Sequence, residues 1–389
     1  MTDMFNAATE ISSSRLIIQN WIAEAHAWSS AFNMKLSGAE NIADGPFDWE
    51  IHRSSFQKCM RRGLPALAWS HFQRMYMEDD KKAFDCLALV AGEDIGFPVL
   101  EMTALALMMC LKTFRQQIQI NELTLARGLI ARLARSPKNR FGCQLNVYVD
   151  VLKMDATSVE NPDKVLTDML THAAPHYQFA ALRTLRKKCR HGNVELLKTV
   201  IRILKDSFET KAMGLAAAIV FERQNDDIHF GQIITAQMCL GAGYTMIPLT
   251  PPQTEPLETR MINQFEDVYT TVPNCALDQH TSIGRSALLR WAKTDKMQEL
   301  FKPYGIDNGK IQKALGAITF FKDASMVSPD LGIADEGVNK LIVKQEIAYT
   351  MARSEIAGLT EETYSKLTWD VMADVHELYD LRQFLWKKG

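Results

Sequence analysis

The stretch TLARGLIARLA, residues 124–134, decides the fold class. At about 100° per residue, Leu125, Ala126, Leu129, Ile130, Leu133 and Ala134 fill one half of a helical wheel. Arg127, Arg132 and Arg135 fall on the other half. The helix must end near Ser136, because Pro137 disfavours helical geometry in the residue before it. The same period recurs outward from this segment. Residues 12–34 fit one or two helices. Phe56, Met60, Leu67, Ala68, Phe72 and Met75 follow helical spacing on either side of an Arg62-Gly63-Leu64-Pro65 break, and Pro65 suits the first turn of the second helix. Residues 193–206 repeat the logic, with Asn193 as N-cap.

Strand signals are sparse. The alternating NVYVD at 146–150 sits between helical stretches and reads as a continuation of helix. From 241 to 282, Gly241, Gly243, Pro248, Pro251, Pro252, Pro256 and Pro273 prevent continuous helix. The expected fold is all-α, with this Pro-rich irregular segment between two helical lobes. The expected divisions are an N-terminal extension to 50, a helical domain at 51–240, a loop region at 241–284 and a C-terminal lobe at 285–389. That lobe is expected to end in helices at 336–356 and 360–387, with Trp369, Val371, Met372, Leu378, Leu381, Phe384, Leu385 and Trp386 docked on a core.

Composition narrows the function classes. The chain has 389 residues, 47% hydrophobic, with 44 Lys and Arg against 46 Asp and Glu. That length buries a sizeable core, and the modest Gly and Pro content excludes collagen-like and low-complexity classes. The longest apolar run, ALALMMCL at 104–111, falls far short of the roughly 20 residues of a membrane helix. The first residues lack the basic and apolar regions of a signal peptide, so a cytoplasmic location without membrane contact is expected. Seven dispersed cysteines with no C-x-x-C pair read as buried reduced thiols. His172 and His176 are separated by Pro175, which spoils a zinc-binding helix face. No metal or cofactor is expected.

Residues 55–97 carry a second kind of signal: Ser55, Lys58 and Arg61-Arg62-Gly63, then Ala66 to Trp69 with Arg74-Met75, then Ala91-Gly92-Glu93-Asp94-Ile95-Gly96. Leu125-Ala126 through Ser136-Pro137-Lys138-Asn139 follows in order. This succession resembles the C-terminal helical region of the MgsA/RarA family of replication-associated recombination ATPases, over about residues 50–155. The resemblance implies a region used for oligomerisation and for positioning on DNA. The stretch ahead of Ser55 is too short for that family's ATPase module. The nearest string to a phosphate loop, Gly305 to Ile311, is one residue short and lacks the magnesium-holding hydroxyl. ATP hydrolysis is therefore not expected.

Three features carry candidate chemistry. Arg127, Arg132, Arg135, Lys138, Asn139 and Arg140 form a basic helix face running into a turn, suited to phosphates or else simply solvated. Arg183, Arg186 and Lys187 form a second basic cluster. Asp278, His280, Thr281, Gly284 and Arg285 lie at the end of the Pro-rich segment. Asp278 and His280 can act as acid and base there, and Thr281, Gly284 and Arg285 can grip a phosphate at a helix N-terminus. The alternative is an elaborate N-cap. The adjacent acids Glu93 and Asp94 read as helix-capping groups or as ligands, with Gly96 ending the helix.

The leading expectation is a DNA-associated helical protein of replication or recombination. It lacks a motor, and DNA and a second copy of the chain are its expected partners. Self-association is expected through the region around residues 52–155, whose helices are rich in adaptable apolar side chains such as Met75, Met77, Met102, Met108 and Met109. Two alternatives stand beside it. One is a DNA- or nucleotide-acting enzyme, of base or glycosidic-bond chemistry, centred on Asp278 to Arg285. The other is a protein-interaction adaptor.

Overall fold

The computed structural model describes residues 2–31, 47–95, 99–138, 246–248, 272–324, 331–333 and 359–388. In chain order these form α1 (Thr2–Ala31), α2 (Trp49–Arg61), α3 (Pro65–Glu78), α4 (Asp80–Val90), a π-helical turn (Ala91–Ile95), α5 (Leu100–Met109), α6 (Lys112–Gln117) and α7 (Glu122–Arg135). Then follow β1 (Met246–Pro248), a 3-10 turn (Asn274–Ala276), α8 (Ser282–Ala292), α9 (Asp295–Phe301), α10 (Ile311–Asp323), β2 (Leu331–Ile333), α11 (Glu361–Ala373) and α12 (Val375–Lys388). The fold is all-α. β1 and β2 add one short antiparallel ladder, pairing Met246 with Ile333 and Pro248 with Leu331.

The chain divides into two compact units, each discontinuous in sequence. One comprises Met1–Met34, Asp79–Gln253 and Ser328–Val343; the other Lys35–Glu78, Thr254–Val327 and Lys344–Gly389. Boundaries expected at 50, 240 and 284 do not coincide with these. The helices α2 and α3 join the C-terminal residues rather than the rest of 51–240. Helical periodicity reports a helix's buried face but not which distant element covers it.

In the first unit, α7 buries the six apolar residues that its sequence pattern marks. They pack against α1 and α5. Where α1 meets α7, Trp21, Ala25 and Ser29 form a buried stripe at four-residue spacing. The helices come so close that a Cβ on Gly128 would lie 1.7 Å from the Ala25 carbonyl oxygen. Arg115 is buried in this unit. It donates to Asp80 at 2.6 Å, Glu122 at 2.8 Å and the Met109 carbonyl at 2.7 Å, tying three helix ends together.

In the second unit, α2 begins under an Asp48 cap and ends at Gly63, whose φ of 69° lets the chain reverse. Pro65 then opens α3, as the sequence pattern requires. The main core gathers Leu288 and Trp291 from α8, Met297 and Phe301 from α9, Leu315 and Ile318 from α10, and Leu367, Val371 and Leu378 from the last two helices. A smaller cluster of Ile51, Val272, Ala276 and Leu277 is flanked by Ile283 and Trp386.

The single helix expected at 360–387 is interrupted at Asp374, giving α11 and α12. Trp369, expected in the core, is 79% exposed, and Phe384 also reaches solvent. Of the five methionines singled out in the region expected to self-associate, Met75, Met102, Met108 and Met109 are buried, while Met77 is 75% exposed. Cys59, Cys86, Cys110 and Cys275 are free thiols, three of them buried. The expected helices at 193–206 and 336–356, the NVYVD segment and the His172/His176 pair lie outside the described residues.

Candidate functional site

The segment from Val272 to Asp278 is buried, which is unusual for a connection and demands polar partners. The second unit supplies them as two ion locks. In the first, Lys58 of α2 donates to Asp278 Oδ2 at 2.7 Å, both side chains being almost fully buried. Oδ1 of the same carboxylate accepts the His280 backbone N–H at 2.9 Å, and His280 Nδ1 lies 3.3 Å from Oδ2. In the second lock, Arg382 of α12 grips both oxygens of Asp323 at 2.9 and 2.7 Å and donates to the Asn274 carbonyl at 3.0 Å. Arg62 adds a bond to the Asp323 carbonyl at 3.0 Å.

Burial pushes the Asp278 carboxyl up, but the Lys58 ammonium and the His280 contacts outweigh it and hold the group well below the usual carboxylate range. Burial drives the Lys58 ammonium down, and Asp278 opposes that shift. The result is an ionised pair whose mutual attraction offsets the desolvation of each partner. Burial raises the Cys59 and Cys275 thiols, so neither is a thiolate nucleophile.

At the start of α8, Thr281 donates to the Asp278 carbonyl at 3.0 Å and accepts the Gly284 N–H at 3.0 Å. Gly284 is needed for approach: a Cβ there would lie 1.7 Å from the Asp278 carbonyl oxygen. The free Ser282 N–H donates to Glu50 at 2.8 Å. Arg285 reaches Glu50 at 3.3 Å and the His280 carbonyl at 3.1 Å. The phosphate grip expected from Thr281 and Gly284 is therefore realised as a helix cap. A carboxylate of the same unit occupies the anion position. Asp278, His280, Thr281 and Arg285 do come together, and His280 keeps its side chain 54% exposed.

The basic face expected around α7 is largely engaged. Arg127 donates to Ser29 at 2.8 Å. Arg132 pairs with Glu24 at 3.2 Å and lies over the Trp28 ring. Arg135 is exposed. Lys138 is placed differently from the expectation: it is buried, and its ammonium donates to the carbonyls of Leu133, Ala134 and Ser136 at 3.0, 2.7 and 2.7 Å. It serves the carbonyl end of α7, where a cation is favoured. Asn139, Arg140, Arg183, Arg186 and Lys187 lie outside the described residues. Asp94 is buried and Glu93 half-buried in the π-helical turn, and Gly96 is not described.

Sequence reading missed three residues that matter here. Lys58 entered only as part of a resemblance. Arg290 and Lys293 passed unnoticed, although no acidic residue interrupts 282–293. Both are exposed, and among the described residues neither makes an ion pair. No protein family, curated protein or solved structure matches the chain. No described helix, including the 30-residue α1, is long and apolar enough to cross a membrane.

Proposed function

We propose that this chain is a DNA-associated helical protein without a motor, contacting phosphates through the outward side of α8. The observation that carries the reading is the run of Arg285, Arg290 and Lys293 along 282–293, exposed and free of interspersed acids. Successive positions on a helix rise by about 1.5 Å, so these cations span roughly 12 Å, comparable with neighbouring phosphates on one strand. The ordered MgsA/RarA-like motifs support the same assignment, and self-association belongs to it.

The experiment is anisotropy of a labelled short duplex over a range of salt. Three phosphate contacts give a log–log slope of about −3. Reversing charge at Arg290 and Lys293 together flattens that slope and weakens all sequences alike, because phosphate contacts position without specifying. Absence of binding at low salt, or indifference to the double reversal, removes the reading and favours the adaptor.

A second reading is supported by His280. A half-exposed imidazole set against a buried carboxylate has the arrangement of a general base and its orienting acid. Under this reading the turn at Asp278 to Arg285 is enzymatic and acts on a phosphate-bearing nucleotide or nucleic acid. Turnover of such substrates by the native chain, lost in His280→Gln, is its test.

A further inference from the structure

The Asp278 carboxylate is fixed by groups from two directions. The turn itself supplies the His280 backbone N–H, and α2 supplies the Lys58 ammonium from 220 residues away. An ionised carboxylate only accepts hydrogen bonds. The Nδ1 of His280, 3.3 Å from Oδ2, must therefore carry the hydrogen whenever the ring is neutral. Nε2 then holds the lone pair. Nδ1 is turned toward buried Asp278 while the side chain as a whole is 54% exposed, which leaves Nε2 as the ring nitrogen for a substrate. Phe320 meets the imidazole edge-on at 5.7 Å and 69°, which restricts the ring plane.

We infer that His280 Nε2 is the proton acceptor of a site that takes a hydroxyl or water lying beside a phosphate ester, with Asp278 and Lys58 as positioning residues. The inference rests on the enzymatic reading of this turn. Arg285 supplies the phosphate recognition. Its guanidinium is held next to the histidine by the bond to the His280 carbonyl at 3.1 Å. Its other partner, Glu50, is a surface carboxylate at 3.3 Å that also accepts the Ser282 N–H at 2.8 Å, so a bound phosphate takes over both the guanidinium and the start of α8 from it.

The proton step balances without a further reagent. The substrate O–H bond breaks, its hydrogen passes to Nε2, and the electron pair stays on the oxygen as the nucleophile. The imidazolium faces Asp278 through Nδ1. Because Lys58 shares Oδ2, the carboxylate orients the ring more than it neutralises the new charge. Lys58 thus trades some stabilisation of the imidazolium for a fixed tautomer.

The test is long-range ¹H–¹⁵N NMR of the full chain at about pH 8, above the ordinary histidine range. His280 is expected as the Nδ1–H tautomer, and millimolar inorganic phosphate is expected to shift Nε2. Arg285→Ala abolishes that shift. In the charge-neutral double variant Lys58→Met/Asp278→Asn the tautomer preference weakens. An Nε2–H tautomer in the native chain, or no response to phosphate, overturns the inference even if a variant fails to fold. Parallel titrations with a mononucleotide and a short oligonucleotide separate a terminal from a diester phosphate. Correct tautomer and phosphate response without turnover of any phosphate ester would instead sink the enzymatic reading on which the inference rests.

Discussion

His52 is held between the Phe47 ring, stacked 5.1 Å away, and the Nδ1 of His71 at 3.0 Å. A bond between two Nδ1 atoms needs one donor and one acceptor, so both rings cannot be charged. Burial, and then Arg74, lower the His52 pKa from 6.5 to about 4, against a smaller opposing effect of Asp48. The unfolded chain therefore binds more protons within that window. Stability is complete above 6.5 and falls as the pH drops toward 4. The loss should be roughly 2 kcal/mol once solvent screening is allowed for. Urea midpoints measured against pH should show this acid slope, and His52→Gln should shrink it. Gly128 makes a second residue-scale prediction. Its missing Cβ is what lets the Ala25 backbone approach, so Gly128→Ala must push α1 and α7 apart. A loss of about 1–3 kcal/mol in denaturant unfolding is expected, and an unchanged midpoint would refute the close crossing.

Among the elements, α2 is strongly amphipathic, yet its buried residues include His52, Lys58 and Arg61 beside Ile51, Phe56 and Met60. The ion lock accounts for the buried Lys58. Lys58→Met alone leaves Asp278 charged and unpaired in the core, which costs about 3–5 kcal/mol. Adding Asp278→Asn should recover most of that loss in thermal unfolding; a double variant as unstable as the single would show that the pair is not the determinant. The basic elements separate just as sharply. Lys138→Glu should lower the melting temperature, because it removes the cation from three carbonyls at the end of α7. Charge reversal at Arg290 and Lys293 should lower the melting temperature only slightly, through the lost cations at the carbonyl end of α8, and act mainly on DNA affinity, since their side chains are exposed.

On the scale of the whole molecule, the absence of a phosphate loop in the sequence leads to one prediction: ATP hydrolysis stays at background with and without DNA. A DNA-stimulated rate that co-purifies with the chain would remove the non-motor assignment. Self-association is the second prediction. Four of the five candidate methionines are buried, and Met77 is the one of them that stays exposed. Sedimentation at micromolar concentration should detect association that Met77→Lys weakens, whereas a strict monomer over a broad range would favour a solitary enzyme.

Local sequence accounts for α7 and for the breaks around α2 and α3. The 124–134 stripe, the Arg62 to Pro65 break and the stop before Pro137 all lie where spacing and backbone sterics put them, because these are local forces acting within a turn or two. It also singled out Asp278, His280, Thr281 and Arg285, whose closeness in the chain guarantees closeness in space. The partnership of residues far apart in the chain came instead from the packing of distant elements. Lys58 meets Asp278, Arg382 meets Asp323 and Glu50 meets Ser282, and none of these pairings leaves a periodic trace. Exposure was likewise a tertiary matter. Lys138 turned inward because unsatisfied carbonyls end its own helix, and Trp369 turned outward because Tyr364, Leu367 and Val371 already fill the core side of α11. A charged side chain reads the same in sequence whether it faces water or a buried counter-charge; only the packing of distant elements distinguishes the two.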